Sequence, residues 1–399
     1  MNSTVPQANA NTSAPLGGST EPHSAAHLAP IRLVIFVGII LSLTLGATWL
    51  VVTTWNSLVG VGSYPLWQLI FPTLTIGFVV TTILSMRFMN PLLQLCYRIC
   101  AVWLGVLSHL FCAAVFAWIL HLFFGLLDLP GQPALIAKFL FATALVVSAY
   151  GLLNAAVIRV TSVTVRLSNL PPAWEGQTTA LVTDLHLGNV RGAGFVRRVV
   201  RRLNQLQPEA VFLSGDMFDG TLVDYSEVTA PWRELQTRHG AFFVTGNHEE
   251  FRNRNGYLSA LEKHGIRVLN NELVQIDDLQ VVGVHDGEAG DPQGYRKILQ
   301  RVGLNGTRPS ILLAHQPGHL KIAAEVGVSL QLSGHTHGGQ VWPWTLVGKL
   351  VHGRFNHGLH RFGSLQVLTS SGVGTWGPPM RLGTKSEIVL VTLEGSPVC

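Results

Sequence analysis

Four long apolar stretches near the start of the chain constrain its fold more than any other feature. They run roughly over Leu33–Thr54, Leu66–Met86, Ile99–Phe124 and Phe139–Ile158. Each has about the 20 residues that a helix needs to cross the hydrocarbon of a bilayer. They are apolar on all faces, whereas a surface helix of a soluble domain carries a polar face. The pattern predicts four membrane-spanning helices.

Basic residues predict which way these helices run through the membrane. One side of a four-helix arrangement is flanked by Arg32, Arg87, Arg98, Arg159 and Arg166. The loops of the opposite side carry no Lys or Arg before Lys138. Because cytoplasmic loops carry an excess of Lys and Arg, we expect a multi-pass protein of the cell membrane with its C-terminal half in the cytoplasm.

Composition changes along the chain and predicts three parts. Residues 1–30 are rich in Ser, Thr, Asn, Ala and Pro, so we expect a disordered tail without a signal peptide. Residues 31–158 form the predicted four-helix domain, and charged residues return in 159–399, the predicted catalytic domain. The four cysteines show no disulfide framework and no CxxC metal pattern. Four arginines with helical spacing would form a solvated helix face or contact anionic lipid headgroups, namely Arg197, Arg198, Arg201 and Arg202. Nucleic acid is not an expected partner.

From Val160 onwards, short apolar segments alternate with amphipathic ones. The predicted strands are Thr178–Thr183, Ala210–Ser214, Ala241–Thr245, Gln280–Val284, Ser310–Ala314, Val328–Leu332, Leu365–Thr369 and Glu387–Leu393. Helices are predicted at Gly194–Leu206, Tyr225–Gln236 and Gly256–His264. This alternation predicts an α/β domain whose strands are largely buried.

Five short polar motifs follow these predicted strands. They are Asp184-Leu185-His186, Gly215-Asp216-Met217-Phe218-Asp219, Gly246-Asn247-His248-Glu249, His315 and Gly334-His335-Thr336-His337. In open α/β sheets, ligands bind at the carboxyl ends of the strands. Strand residues two apart share a face, so we expect the two outer side chains of Asp-Leu-His, and of His-Thr-His, to converge. Nitrogen and oxygen ligands without thiolate favour Mn, Fe, Zn or Ni over Ca.

The five motifs in this order resemble the calcineurin-like metallophosphoesterase superfamily, over roughly Thr178–Leu393. The segment Gly372–Pro379 with Met380-Arg381 is similar to the bacterial membrane-associated phosphodiesterase branch. The resemblance implies a metallophosphoesterase-type α/β sandwich, in which helices flank two central sheets. Here the four-helix transmembrane domain precedes it. The resemblance also implies a cofactor of two divalent metal ions, with Mn as the first expectation and Fe, Zn or Ni as alternatives.

Each motif residue takes a role from this resemblance. One metal would be held by Asp184, His186 and His337 and the other by Asn247, His315 and His335, with Asp216 bridging them. His248 would be catalytic, lying over the phosphate without ligating a metal. Asp219 would orient a ligand histidine or cap the following turn. A bridging hydroxide would attack phosphorus in line with the leaving group, so we expect a phosphate ester as substrate and phosphodiester hydrolysis as the reaction.

Several alternatives stay open at this level. Because a membrane anchor would hold the enzyme near lipids, a phospholipid or a lipid-linked pyrophosphate is an alternative substrate. The domain would otherwise be a non-catalytic metal-binding scaffold, or a membrane sensor whose helices control hydrolysis. The oligomeric state is not predicted.

Some residues outside the motifs also have competing interpretations. Arg252 and Arg254 would clamp a phosphate or lie in a solvated loop. Trp342 and Trp344 would pack in the core or form a lip near the membrane interface. We expect His352, His357 and His360 to be surface residues of a Gly-rich loop.

Overall fold

The computed structural model describes residues 23–60, 65–251 and 254–396. The described part begins with four long helices, namely α1 (His23–Val59), α2 (Pro65–Ser85), α3 (Pro91–Leu126) and α4 (Pro133–Ala156). Each contains a segment long and apolar enough to cross a membrane, which confirms the four predicted spans. Helix α1 begins inside the predicted tail of residues 1–30, and residues 1–22 lie outside the described residues.

Polar contacts inside the four-helix bundle connect neighbouring helices. Trp103 of α3 donates its indole N–H to Thr75 of α2 at 2.9 Å, and Thr75 bonds Thr48 of α1 at 3.0 Å. The imidazole of His109 bonds Ser148 of α4 at 2.8 Å. Lipid tails are as apolar as Leu side chains, so helices in a membrane associate through close packing and hydrogen bonds such as these.

The rest of the described chain alternates strands and helices. The strands are β1 (Ile158–Leu167), β2 (Thr178–Val182), β3 (Ala210–Ser214), β4 (Ala241–Val244), β5 (Ile266–Val268), β6 (Glu272–Ile276), β7 (Leu279–Gly283), β8 (Ser310–Leu313), β9 (Leu330–Ser333), β10 (Gly358–Phe362), β11 (Leu365–Thr369) and β12 (Ser386–Gly395). The helices are α5 (Ala193–Leu206), α6 (Tyr225–Thr229), α7 (Arg254–Lys263), α8 (Asp286–Ala289), α9 (Pro292–Arg301), α10 (Leu320–Glu325) and α11 (Trp344–His352).

One predicted helix is wrong in extent. The segment Tyr225–Gln236 was expected to be continuous, but α6 ends at Thr229 and a 3₁₀-helix follows over Ala230–Glu234. Pro231 stands in the first turn of that second helix. Because proline has no backbone N–H and its ring collides with the preceding turn, it interrupts an α-helix.

Two mixed sheets pack face to face. In the described chain the first sheet has the strand order β1-β12-β2-β3-β4-β5, and the second has the order β10-β11-β9-β8-β7-β6. Strands β2, β3, β4 and β5 run parallel to one another, and so do β7, β8, β9 and β11. Strands β12, β6 and β10 pair antiparallel with β2, β7 and β11. Leu181 and Phe212 of the first sheet share a buried core with Leu313 and Leu332 of the second.

Helices cover the two outer faces of this pair of sheets. Val199 of α5 packs on the outer side of the first sheet, and Leu299 of α9 packs on the outer side of the second. The apolar face of each helix is thereby removed from water, which stabilises the layers. The predicted sandwich of two central sheets flanked by helices is confirmed.

The sandwich is docked directly on the bundle. Only Val157 separates the end of α4 from the start of β1. The backbone N–H of Leu222 donates to the carbonyl of Ser85 in α2 at 2.8 Å, and Arg98 of α3 donates to the carbonyl of Asn189 at 2.5 Å. Bundle and sandwich therefore contact each other through several helices. The division into residues 1–30, 31–158 and 159–399 stays a prediction.

Candidate metal centre

The five polar motifs lie at one edge of the sandwich. In the first sheet, Asp184 and His186 follow β2, Asp216 follows β3, and Asn247 and His248 follow β4. In the second sheet, His315 follows β8, and His335 and His337 follow β9. The carboxyl ends of parallel strands from both sheets deliver these side chains to the same place.

The side chains converge for a reason that differs from the predicted one. Strands β2 and β9 end at Val182 and Ser333, so Asp184 and His186 do not share a strand face, nor do His335 and His337. Left-handed backbone turns direct them instead. The φ angles are 56° at Asp184, 48° at His186, 69° at His335 and 51° at His337. Non-glycine residues seldom adopt this region, and such strain concentrates at functional sites.

The first group of ligand atoms consists of Asp184, His186 and His337. The Nε2 atoms of the two histidines lie 3.0 Å apart, and His337 Nε2 lies 3.4 Å from Asp184 Oδ1. Ligand atoms of the three residues lie within 4.8 Å of one another, and all three residues are buried. This geometry brings together the three residues predicted for one metal.

The second group consists of Asp216, His315 and His335, whose ligand atoms also lie within 4.8 Å of one another. His315 Nε2 is 3.2 Å from Asp216 Oδ2. Asn247 is brought to this group as well, because its Oδ1 lies 2.9 Å from His335 Nδ1. Asp216 Oδ2 lies 3.7 Å from His186 Nε2, so this carboxylate faces both groups.

The donor set fits divalent cations. The ring of His315 bonds the carbonyl of Ser214 through Nδ1 at 2.8 Å, which makes Nδ1 the N–H donor. Nε2 faces the carboxylate of Asp216. Burial alone would lower the pKa of His315, but the negative charge of Asp216 outweighs burial and raises the pKa to about 10. This buried Nε2 has no hydrogen-bond partner of good geometry among the described groups. The pair therefore favours a positive charge between Nε2 and the carboxylate, and a divalent cation would supply it in place of the ring proton.

Burial also favours the ligating form of two other histidines. It lowers the pKa of His335 to about 3, and it lowers the pKa of His337 well below the ordinary value. Both rings are therefore neutral at physiological pH. Neutral imidazole is the form that binds a metal.

Two carboxylates support the ligands from outside. Asp219 Oδ1 lies 3.5 Å from His186 Nδ1, the ring nitrogen on the far side from His337. Burial raises the pKa of Asp219 to about 7. Glu249 is buried and accepts the backbone N–H groups of Asp216 and Gly246 at 3.0 and 2.6 Å. Glu249 was not predicted to support the ligands, although an acidic side chain directly after Asn247-His248 was the available signal.

Arg381 is a fully buried arginine whose role was not predicted either. It donates to the carbonyls of His337 at 3.2 Å and Gly374 at 2.7 Å, and it bonds Ser371 as well. The loop that it holds packs on the first group, since Gly374 donates its N–H to the carbonyl of Asp184 at 2.9 Å. Arg381 therefore fixes the backbone on both sides of that group.

His248 stands beside the two groups. Its ring is perpendicular to that of His186, with 4.8 Å between the ring centres. Its backbone N–H donates to Asp216 Oδ1 at 2.9 Å, and its Nδ1 bonds the carbonyl of Asp219 at 3.3 Å. With His186 and Asp216 it forms a third set of ligand atoms within 4.8 Å. The partly exposed ring lies 6.1 Å from that of Trp376.

The remaining singled-out residues fall in different places. Arg252 and the side chain of Arg254 lie outside the described residues. Trp342 and Trp344 are exposed, which excludes the core interpretation. The interpretation of His352 as a loop residue is wrong, because it ends α11 and its ring lies 6.1 Å from that of His335.

His357 and His360 lie near the surface as expected. His357 is exposed and bonds the buried carboxylate of Glu387 at 2.8 Å. His360 is part of β10, and its Nε2 bonds the carbonyl of His357 at 3.0 Å.

Comparison with known proteins identifies a family and several relatives with similar sequences. The profile of the family described as calcineurin-like phosphoesterase matches residues 178–339. An uncharacterized metallophosphoesterase of Helicobacter pylori is 35% identical over 217 residues, covering 53% of this chain and 58% of that protein. This chain thus spans little more than half the length of that relative.

Two further relatives are matched over longer parts of their own sequences. A transmembrane protein with metallophosphoesterase domain from Bos taurus is 34% identical over 294 residues, covering 68% of this chain and 66% of that protein. An uncharacterized metallophosphoesterase of Aquifex aeolicus is 33% identical over 261 residues, covering 63% of this chain and 98% of that protein. The chain therefore belongs to the calcineurin-like phosphoesterase family.

Proposed function

We propose that this chain is a membrane-anchored phosphohydrolase with a dinuclear metal centre, acting on phosphodiesters. The observation that carries the proposal is the position of Asp216. Its carboxylate lies 3.2 Å from His315 in one ligand group and 3.7 Å from His186 in the other. A carboxylate shared by two groups of ligands suits a pair of divalent cations. Membership of the family supports the same class of reaction.

The predicted ligands divide between two positions in this proposal. One cation would be held by Asp184, His186 and His337 and the other by Asn247, His315 and His335, with Asp216 contacting both. When bound, the cations would supply Lewis acidity to the phosphoryl oxygens and acidify water. We propose Mn as the metal, and Fe, Zn and Ni suit the same nitrogen and oxygen ligands.

His248 would act on the substrate in this proposal. Its Nδ1 bonds the carbonyl of Asp219, so Nε2 is the atom that would carry a transferred proton. Burial lowers the pKa of His248, but the negative charge of a bound phosphate favours the protonated ring. From Nε2 the proton would pass to the leaving oxygen as the bond between that oxygen and phosphorus breaks.

The surroundings of His248 favour a diester over a monoester. The ring of Trp376 lies 6.1 Å from that of His248, and the side chain is 56% exposed. A diester has a second substituent that would pack on this apolar ring, whereas a monoester has none. Burial of that substituent would lower the free energy of binding.

We also propose that the sandwich faces the cytoplasm from the cell membrane. Helices α2 and α4 both end against the sandwich, and Arg87 and Arg159 follow these ends. Ser386 donates its hydroxyl to the carbonyl of Ala155 at 3.1 Å, close to the end of α4. Arg87 and Arg159 therefore lie on the same side of the membrane as the sandwich. Basic residues mark the cytoplasmic side in most membrane proteins, so the sandwich would face the cytoplasm.

A matched pair of aryl phosphates tests the reaction. The full chain with Mn²⁺ is given ethyl 4-nitrophenyl phosphate, a diester, or 4-nitrophenyl phosphate, the monoester. We expect metal-dependent release of nitrophenol, faster from the diester. Release without dependence on metal, or none from either ester, would overturn the hydrolase. A faster reaction of the monoester would overturn only the preference for diesters.

Two variants test the roles of the residues. Asp216→Asn should abolish turnover and reduce the bound metal. His248→Ala should reduce turnover by about 10² to 10⁴-fold, the usual contribution of a general acid, with both metal ions still bound. Asp224→Asn, which changes a carboxylate that caps α6, is the control and should retain activity. Full activity in the His248 variant would show that this ring has no catalytic role.

A further inference from the structure

In the described chain after the membrane bundle, exposed large apolar side chains gather mainly on one helix. Of the residues described after Val157, seven such side chains are exposed, and five of them lie on α11. Leu350 is 84% exposed and Val351 is 69% exposed. Trp342 and Trp376 complete the set. We call the exposed side chains of α11 together with these two tryptophans the α11 surface. Apolar patches of this kind on a soluble domain mark a binding surface.

The α11 surface is continuous with the apolar bundle. The indole N–H of Trp344, the first residue of α11, donates to the hydroxyl of Ser108 in α3 at 3.0 Å. Ser108 lies about 18 residues before the end of α3 at Leu126, which corresponds to about 27 Å along a helix. The hydrocarbon of a bilayer is about 30 Å thick. Trp344 therefore meets α3 near the edge of the hydrocarbon, on the side of the sandwich.

The residues of α11 have the composition of a helix that lies flat in a membrane interface. Tryptophan is enriched at the level of the lipid headgroups, where its ring is apolar and its N–H finds a polar partner. Lys349 and Arg354 are exposed among or just after the apolar residues and carry the charge that attracts anionic headgroups. The occupant that fits the α11 surface is therefore a lipid bilayer.

The same surface borders the metal centre. Thr345 is buried and packs on Gly339, in the turn that carries His337, so closely that a Cβ on this glycine would collide with the backbone of α11. At the end of α11, the ring of His352 lies 6.1 Å from that of His335. Trp376 borders His248 in the same way. Lipid in contact with α11 would be next to the ligand groups.

We propose that the α11 surface lies in the headgroup region of the bilayer and that the metal centre takes its phosphodiester from a membrane lipid, whose acyl chains stay in the bilayer. Hydrolysis adds water to phosphorus and breaks the bond to the leaving oxygen, which receives a proton. The choice of substrate rests on the proposed hydrolase activity, but the contact with the bilayer does not. Two separate experiments therefore test the two statements.

The contact with lipid is tested by fluorescence. Leu350→Cys and, as a control, Gln300→Cys on α9 are labelled with an environment-sensitive fluorophore in the full chain, in phosphatidylcholine vesicles. The unsubstituted chain gives the background from its own cysteines. We expect the label at position 350 to be quenched by spin-labelled lipid and protected from iodide, and the label at 300 to behave in the opposite way. Equal access of iodide to both labels would overturn the contact.

The lipid substrate is tested with two diesters that share a leaving group. Ethyl 4-nitrophenyl phosphate is used in solution and hexadecyl 4-nitrophenyl phosphate in phosphatidylcholine vesicles. The double variant Leu350→Glu with Val351→Glu should have at least about tenfold lower activity on the hexadecyl ester, because two aliphatic contacts with the bilayer are lost. Its activity on the ethyl ester should stay within about twofold of the parent, because neither residue touches the ligand groups.

A charge-matched control and the parent enzyme complete the test. Gln293→Glu with Gln300→Glu adds the same two negative charges at exposed positions of α9 and should leave the ratio of the two activities unchanged. If the α11 variant hydrolyses both esters in the same ratio as the parent, the lipid substrate is wrong. If the parent hydrolyses neither ester, the proposed hydrolase fails, and the fluorescence experiment still decides whether α11 contacts the bilayer.

Discussion

The guanidinium of Arg381 donates a hydrogen bond of 3.2 Å to the backbone carbonyl of His337, a predicted metal ligand. The backbone of the same arginine is held by the membrane bundle. Its N–H donates to the carbonyl of Gly151 in α4 at 3.0 Å, and Asn154 donates to its carbonyl at 2.9 Å. One residue thus connects a membrane helix to the first ligand group.

Replacing Arg381 tests this connection. Arg381→Met should weaken metal binding by about 10- to 100-fold, as the loss of other partners outside the ligand shell does. It should also lower the thermal midpoint, because several buried carbonyls lose their donor. Metal titration and thermal unfolding measure the two effects. Arg201→Met removes an exposed arginine from α5 and is the control. Unchanged metal affinity in the Arg381 variant would contradict the positioning role.

Asp219 offers a test of two alternatives, orientation of a ligand histidine and capping of a turn. Asp219→Asn keeps the size and the capping ability of the side chain but removes the charge opposite His186. If the carboxylate orients the ring, metal affinity or kcat should fall by about 10- to 100-fold. If it only caps a turn, both should stay near those of the parent. Metal titration and initial rates distinguish the outcomes.

Gly374 is expected to tolerate no side chain. A Cβ at this position would collide with the carbonyl oxygens of Asp184 and Leu185. Gly374→Ala should therefore push the loop away from the first ligand group and destabilise the protein by about 1–3 kcal/mol, a typical cost of overpacking. Gly194→Ala in α5 has open space around the new methyl group and should be neutral or stabilising. Equal thermal midpoints for the two variants would contradict the expected collision.

Glu387 predicts a pH dependence of stability. Burial alone would raise its pKa, but hydrogen bonds from His357 and Thr161 outweigh burial and hold the pKa of Glu387 well below its ordinary value. A depressed folded-state pKa gives stability that is present above the unfolded pKa of about 4.3 and is lost as the pH falls toward the folded pKa.

Thermal unfolding of the metal-free protein measures this effect. The parent should be more stable than Glu387→Gln at pH 7, by about 1–3 kcal/mol, because the neutral amide cannot satisfy the same donors. The difference should shrink below about pH 4 as the parent carboxylate becomes protonated. Glu394→Gln, at an exposed ion pair with Arg166, should show little difference at any pH. A gap that stays constant down to pH 3 would argue against the depressed pKa.

The motifs were readable from the sequence because each ligand follows an apolar strand, and strand ends of an α/β sheet meet at one edge. The backbone geometry was not readable. Asp184 and His186 reach the same point through positive φ angles. Strand alternation correctly predicted that the two side chains converge, but the two residues do not belong to a strand. Local pattern does not report a left-handed turn at a residue that is not glycine.

Contacts between distant segments were equally hidden. Arg381 bonds His337 across 44 residues, and nothing local to Met380-Arg381 indicates which carbonyls it meets. The segment Trp344–His352 has the apolar content of a core helix, yet only Thr345 in it is buried. Its exposure depends on where the bundle and the second sheet place it. By contrast, α5 was predicted to within one residue at its start, because its apolar residues recur at helical spacing.

The connection between α4 and β1 limits how this protein can search for its substrate. Only Val157 lies between membrane helix α4 and the paired strand β1, and such a short linker keeps the sandwich from moving away from the bilayer. The metal centre is thereby kept at a constant height, and the protein moves as a unit within the plane of the membrane. Encounters with a molecule confined to the same leaflet become a two-dimensional search.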